Sequence, residues 1–477
     1  MSSLSSTVLG ASSALQAFQY ALTATQNNID NASTPGYANQ AVALQADPFD
    51  PALGLTGGVS QGPLVDSRDP LAESDVWQQA SAQGDASAQS NALTTIQNAM
   101  PVSDGSGIPA ALTTFFSDIS AWSASPTNGS AQQNVMLAAN SLAQSFQTTS
   151  AAVASASQSV SQSVDSTVGQ INQLTQQIAT LNAGIQNGGQ HDAGMQAQVY
   201  SALETLSGLV NIGVLRQSDG SVDVTLSSGA ALVMGSNSYA LSPAPANNTA
   251  TDPLAPPDMY IQAADGTVVN GQITSGSLAG LLQVQNVTIP GLLGDATHTG
   301  ALNQLASTIA DQVNAVVSAG LVSPGPPAVP APSGLFTYNG SSPTLSGAAG
   351  TFAVDPNMTA SQLPAYDPTG TVSNGVPLAV AALANATLPG LGGASCTTFY
   401  GNAAASVGAQ LNQAQSNQTM TAQTLAQAQN MRQTESGVSL DAEAINVLQF
   451  QAAYQAVAKM VTTLATLTQS LIDMIPS

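Results

Sequence analysis

Residues 22–40 read LTATQNNIDNASTPGYANQ, and they decide how the chain begins. Upstream of and into this stretch, apolar or small residues recur at Leu4, Val8, Ala11, Leu15, Phe18, Leu22, Thr25 and Ile29, in alternating steps of four and three. That rhythm predicts a helix with a heptad seam. The turn residues then arrive. Asn28, Asp30 and Asn31 carry side chains that compete for the backbone and disfavour continued helix. Pro35 biases Thr34 away from the helical region. Pro35-Gly36 suits the two central positions of a type II turn. The helix is therefore expected to stop near Asn31, with the chain running extended from Tyr37 to Leu44.

The same rhythm returns at the other end. Val447, Phe450, Tyr454, Val457, Val461, Leu464, Thr468, Leu471 and Ile475 step by three and four. Ser439-Leu440-Asp441 reads as the start of that helix, with Asp441 and Glu443 suited to the dipole of its first turn. A narrow apolar stripe is marginal alone, so the two terminal seams invite each other. A third seam runs from Val153 to Ile185 and ends at Asn187-Gly188-Gly189, a C-capping signature. A fourth, more polar, runs from about Val407 to Arg432. Shorter helices fit 86–99, 108–122, 131–148, 196–209 and 300–318.

Between the helices lie β-like segments. Residues 211–215 and 222–226 flank Asp219-Gly220 and read as a hairpin, and Asp265-Gly266 marks a second turn. Residues 243–257 and 323–333 are Pro-rich loops, and 334–375 read as short strands.

Composition narrows the functions. The chain has 477 residues, of which only 6% are charged, and a formal net charge of −22 with four cations: Arg68, Arg216, Arg432 and Lys459. Phosphate binding needs several cations on one face, so nucleic acid is excluded as a partner. Anionic membrane surfaces are disfavoured for the same reason. No stretch reaches the roughly 18 apolar residues of a membrane span, and no membrane insertion is expected. Cys396 is the single cysteine. It permits no disulfide framework and no zinc cluster, and no neighbouring cation activates it. The N-terminus lacks the basic and apolar regions of a cleavable signal peptide, which taken alone points to the cytoplasm.

Motifs for chemistry are missing. His191 and His298 have no ligand-spaced partners, so no metal site is expected. There is no nucleophile elbow, phosphate loop or dinucleotide fingerprint. Glu73 with Asp75, and Asp441 with Glu443, have the makings of acid–base pairs, but a solvated helix start is the plainer reading of both. No enzyme activity, cofactor or catalytic residue is expected. The informative signal is the near-absence of charge at the ends. Residues 1–46 carry only Asp30, and residues 438–477 carry Asp441, Glu443, Lys459 and Asp473. Exposed helices usually carry many charges, whereas neutral ones suit burial against further copies, where an unpaired ion is costly.

At this point a resemblance is informative. The stretch from Asn27 to Tyr37, with its Thr-Pro-Gly-Tyr ending, resembles the motif that follows the first helix in the axial proteins of the bacterial flagellum. The stretch Gly437 to Lys459, GVSLDAEAINVLQFQAAYQAVAK, resembles their closing motif. Its Leu-Asp-x-Glu-Ala spelling favours the members that join hook to filament. Residues 176–185, 229–235, 276–282 and 302–306 support that choice. Three places depart from the family pattern: Gln196 to Tyr200 replaces an Asp-Gln-Arg-like stretch, Gln40 stands where a basic residue is usual, and the region after Val316 is Pro-rich where a His and Gly-Asp-like loop is common.

The resemblance implies a mainly α fold with inserted β, elongated and multi-domain. Terminal helices would pair as a coiled coil (residues 1–50 and 432–477). A helical-bundle shaft would take 51–204, 276–322 and 380–431, and a small β-rich outer region 205–275 and 323–379. It implies a structural axial component joining hook to filament, exported unfolded through the flagellar channel to work outside the cell. Its partners would be other copies of itself, hook protein, a second junction protein with the filament, and an export chaperone beforehand. The expected assembly interface is Leu4, Val8, Leu15, Phe18, Leu22, Ile29, Val447, Phe450, Tyr454, Val457, Val461, Leu464, Leu471 and Ile475. The expected turn motif is Asn31, Thr34, Pro35, Gly36 and Tyr37. Two readings compete with this: another axial protein of the hook or rod, and a secreted adhesin binding through its β-rich region. A cell-wall-cleaving enzyme is a more distant third.

Overall fold

A computed structural model describes the chain except residues 1, 51–54, 103–104, 190–191, 228, 246–256, 296, 341–343 and 474–477. At 2–5, 50, 55–56, 245 and 471–472 only the backbone is described. The chain is mainly helical with small antiparallel sheets. Contacts divide it into two compact units: residues 1–80, 173–239 and 422–477, and residues 81–172 and 240–421.

The first unit opens with α1 (Ser2–Asp30), which ends within a residue of the expected stop. A long hairpin follows, β1 (Gln40–Asp50) and β2 (Leu55–Asp66), paired from Gln40↔Asp66 to Asp50↔Leu55. Sequence reading extends only its first half, to Leu44. Gly57, Gly58, Gly62, Pro48 and Pro63 hide the strand pattern, because glycine and proline signal turns more strongly than strands. Gly57 and Gly58 have φ of 67° and 143°, conformations that suit glycine. The unit is completed by the start of α2 (Pro70–Ala99), the end of α4 (Gly129–Gly184), α5 (Ala193–Leu209), a four-stranded sheet and α11 (Leu440–Asp473).

That sheet contains β3 (Ile212–Arg216), β4 (Val222–Leu226), β5 (Ala231–Met234) and β6 (Asn237–Ser238) in chain order. Its first pair turns at the expected Asp-Gly, with Gly220 at φ 88°. Buried Asn182 of α4 clamps it, donating to the carbonyls of Val222 and Gly235 (2.7 Å each) and accepting from Val222 N–H (3.0 Å).

The second unit is built around a cluster of phenylalanine rings. It contains α3 (Gly107–Ala124), most of α4, α8 (Ala301–Ala319), the shorter α6 (Ser277–Gln283), α7 (Ile289–Leu293) and α9 (Gly375–Ala382), and the start of α10 (Cys396–Ser436). The expected helix at 131–148 and the third seam form one continuous α4, since no glycine or proline interrupts 130–168. A π-helical turn at 185–189 ends it, with Gly188 at φ 114°. A hairpin of β11 (Phe336–Thr337) and β12 (Ala353–Val354) delivers Phe336 onto Phe115 and Phe352, with ring centroids 5.6 and 4.7 Å apart. Phe352 meets Phe146 at 5.1 Å. Two more two-stranded sheets join β7 (Ser242–Pro245) to β8 (Met259–Gln262), and β9 (Leu321–Ser323) to β10 (Val329–Pro330). Both Pro-rich stretches thus contribute strand residues, and most of 243–257 lies outside the described residues. No helix among the described residues is long and apolar enough to cross a membrane.

Candidate assembly interface

Helix α1 packs against α11 and also against the β1–β2 hairpin. The direction of the helix pair follows from their shared end. Asn28, in the last turn of α1, donates to Asn39 Oδ1 (2.8 Å), and Asn39 donates to Glu443 Oε1 (3.0 Å) in the first turn of α11. The end of one helix meets the start of the other, so the two run antiparallel. At equal distances from that end, Leu22 comes level with Phe450, and Leu15 with Val457.

The expected interface residues Val8, Leu15, Phe18, Leu22 and Ile29 are half-buried on α1, as are Val447, Phe450, Val457, Val461 and Leu464 on α11. Tyr454 is 37% exposed. The side chains of Leu4 and Leu471, and all of Ile475, lie outside the described residues. Fully buried on α1 is an adjoining line of small residues, Ala14, Ala17, Ala21, Thr25 and Asn28.

Residues Thr34–Tyr37 form a turn. Tyr37 N–H donates to Thr34 O (3.2 Å), and Gly36 has φ 74°. A Cβ at Gly36 would lie 2.3 Å from Ala197 O of α5, so glycine is required by conformation and by space. Asn31 accepts from Thr34 Oγ1 (3.1 Å). Buried Asn28 ties the helix end to the strand start: it accepts from Tyr37 OH and Gln40 N–H (2.9 Å each) and donates to Gln40 O (2.8 Å). Burial, then the nearby charge of Glu443, pushes the Tyr37 hydroxyl up to about 12.

Below the turn lies a cluster of charges that are scattered in sequence. Arg68 pairs with Glu73 at 2.5 Å, donates to Gly36 O at 2.7 Å, and lies 3.7 Å from the ring centroid of Tyr200. Arg432, near the end of α10, bridges Glu73 (3.2 Å) and Glu204 (2.8 Å). Burial works against its charge, but hydrogen bonds and the proximity of both carboxylates raise its pKa overall. Glu73 is 1% exposed and Glu443 2% exposed. Neither is the solvated helix-start residue that sequence reading made it, although Asp441 is exposed. Ser436 closes the node: its carbonyl accepts Asn39 N–H (2.9 Å), and its hydroxyl oxygen accepts Asp69 N–H (3.0 Å). A polar cleft of about 180 Å³ opens between the turn and residues 432–438.

This node is what sequence reading missed. The one signal in the sequence was the scarcity of cations: all four lie in the first unit, and the three arginines, Arg68, Arg216 and Arg432, each pair with a carboxylate. Tyr200, in the stretch that departs from the family pattern, receives the Arg68 guanidinium. His298 contacts Asp295 at 2.9 Å, and His191 lies outside the described residues. Cys396 is buried, its thiol pushed up to about 11 by that burial. Among the described residues, no group of three or more metal-ligating side chains is placed to hold an ion.

Comparison with known proteins bears on this geometry. Residues 93–328 match the family model described as the flagellar hook-associated protein FlgK helical domain. Residues 429–474, which hold Arg432, Glu443 and all of α11, match the C-terminal segment of flagellar basal body rod FlgEFG proteins. Flagellar hook-associated protein 1 of Bacillus subtilis is 26% identical over 96% of both chains. The chain is similar to flagellar hook-associated protein 1 along almost its whole length. Its relative of that name from Salmonella typhimurium is 28% identical over 65% of this chain and 56% of the relative, so the chain spans little more than half of that protein. A solved structure titled as the flagellar hook junction protein FlgK from Burkholderia pseudomallei shares the fold, with a TM-score of 0.65 at 17% identity, over 77% of this chain and 100% of that one.

Proposed function

We propose that the chain is a structural component of the bacterial flagellum, placed at the junction of hook and filament, with no catalytic step. The carrying observation is the antiparallel pair of charge-poor terminal helices, anchored at one end by the Asn28–Asn39–Glu443 relay. Residues 1–50 and 432–477 act as the assembly domain. Within it, the seam residues named above hold the pair together, and the Pro35-Gly36 turn sends the chain out to the next layer. Exposed apolar side chains on α1 (Leu9, 69%), on the hairpin (Phe49, 72%) and on α11 (Leu448, 67%) suit contact with neighbouring subunits on several sides.

The neighbours are other copies of the chain, hook protein on one side, and a second junction protein with the filament on the other. The chain reaches them by export through the flagellar channel, held by a chaperone beforehand, and works outside the cell. The test is electron microscopy of the source bacterium with this gene deleted. Hooks without filaments, restored by the full-length chain, support the reading. Filaments of ordinary number and length in the deletion strain overturn it.

A further inference from the structure

An asparagine followed by glycine is the pair most prone to lose its side-chain amide spontaneously, because glycine leaves the attacking backbone nitrogen unhindered. The chain carries five such pairs, at Asn128, Asn187, Asn270, Asn339 and Asn374. Ring closure needs the side-chain amide to swing onto the next residue's nitrogen, so a hydrogen bond that holds either group slows the reaction. The fold holds four of the five.

Asn128 accepts from Ser130 N–H (2.8 Å) and Ala131 N–H (3.3 Å). Asn270 accepts from Ile261 N–H (2.7 Å) and donates to Met259 O (2.9 Å). Asn374 donates to Ser123 O (3.0 Å), and the nitrogen that would attack it, that of Gly375, donates to Val372 O (3.2 Å). At Asn339 the backbone is pinned instead: Thr351 Oγ1 accepts from its N–H and donates to its carbonyl (2.8 Å each). Asn187 differs. It is exposed, and its side chain makes no hydrogen bond among the described residues. It sits in the π-helical turn that ends α4, at φ −86° and ψ 19°, outside helical geometry. Gly188 follows at φ 114°, and a Cβ placed there would meet nothing within 4 Å, so the backbone has room to turn.

We infer that Asn187 is a site of spontaneous modification, converted to aspartate and isoaspartate well ahead of the other four pairs. The Gly188 backbone nitrogen loses its proton to solvent base and attacks Cγ of Asn187. A C–N bond forms, the bond from Cγ to the side-chain nitrogen breaks, and that nitrogen leaves as ammonia with a proton from water. Water then opens the cyclic imide at either carbonyl, giving aspartate or isoaspartate with no change of oxidation state. Either product places a new carboxylate beside Gln186, whose amide donates to Ser221 Oγ (3.4 Å) at the turn between β3 and β4. Isoaspartate also reroutes the main chain through the former side chain at the end of α4. The inference stands apart from the assembly role proposed above.

The test holds the purified full-length chain in mildly alkaline buffer, samples it over time, and reads each Asn-Gly peptide by mass spectrometry, with methyltransferase labelling for isoaspartate. In the folded protein, Asn187 is expected to react roughly tenfold faster, or more, than any of the other four, because at least one hydrogen bond must open first at each of those. In the chain unfolded in guanidinium the five rates are expected to draw together, since only the fold separates them. Asn187→Gln is expected to remove the product at that site, because glutamine must close a larger ring, and to leave the other four rates unchanged. A folded protein in which another Asn-Gly pair leads, or in which all five react alike, overturns the inference. So does a folded protein that keeps Asn187 intact over a period in which the unfolded chain modifies it.

Discussion

At Gly36 two independent requirements meet, a left-handed backbone and contact with the carbonyl of Ala197. Gly36→Ala is expected to cost about 2 kcal/mol or more, from conformational strain together with the clash, read as a fall in the urea midpoint. Glu73 is a harsher site, because it serves both Arg68 and Arg432 from a buried position. Glu73→Gln leaves two guanidinium groups short of charge and is expected to cost roughly 3–5 kcal/mol. Removing the exposed Arg216–Asp66 pair is expected to cost about 0–1 kcal/mol. Tyr37 adds a pH signature. Its folded pKa is raised from 10.0 to about 12, so the folded state holds the proton more tightly than the unfolded chain does. That contribution is complete below pH 10 and is lost as pH rises towards 12. Tyr37→Phe is expected to flatten the fall of stability over that window in alkaline denaturation. Little of this was legible in sequence. The turn was, because proline and glycine carry their conformations with them. The ion cluster was not, because residues 68, 73, 204 and 432 come together only in the fold.

For the elements, periodicity did most of the work. The two terminal seams, the third seam of α4 and the Asp-Gly hairpin are all visible as spacing, because a helix or strand imprints its period on residues close in sequence. The β1–β2 hairpin escaped because its glycines and prolines break the alternation that marks a strand. The seam also describes only part of α1. A stripe suited to one partner predicts one buried line, whereas α1 packs against α11 and the hairpin and buries Ala14, Ala17 and Ala21 beside the seam. Small residues on that line let neighbouring backbones approach closely, and a larger one has no room. Ala17→Leu, at a position with no exposed surface, is expected to destabilise by about 1–3 kcal/mol through overpacking, measured by thermal unfolding.

Across the whole molecule, a chain with few charges distributes them unevenly. Three of its four cations stabilise one unit, and the terminal helices are left with Lys459 alone. Phe115, Phe146, Phe336 and Phe352 form one contiguous ring cluster in the second unit. The small, neutral side chains of the ends fit the role proposed above, in which neighbouring copies cover them. The antiparallel pairing of α1 with α11 underlies this view, and disulfide trapping tests it most directly. Full-length protein carrying Leu22→Cys with Phe450→Cys is compared with Leu22→Cys with Leu464→Cys, under mild oxidation within assembled flagella; the buried Cys396 stays inert in both. The account predicts rapid crosslinking within the first pair and little in the second. Equal crosslinking in both, or preference for the second, would contradict it.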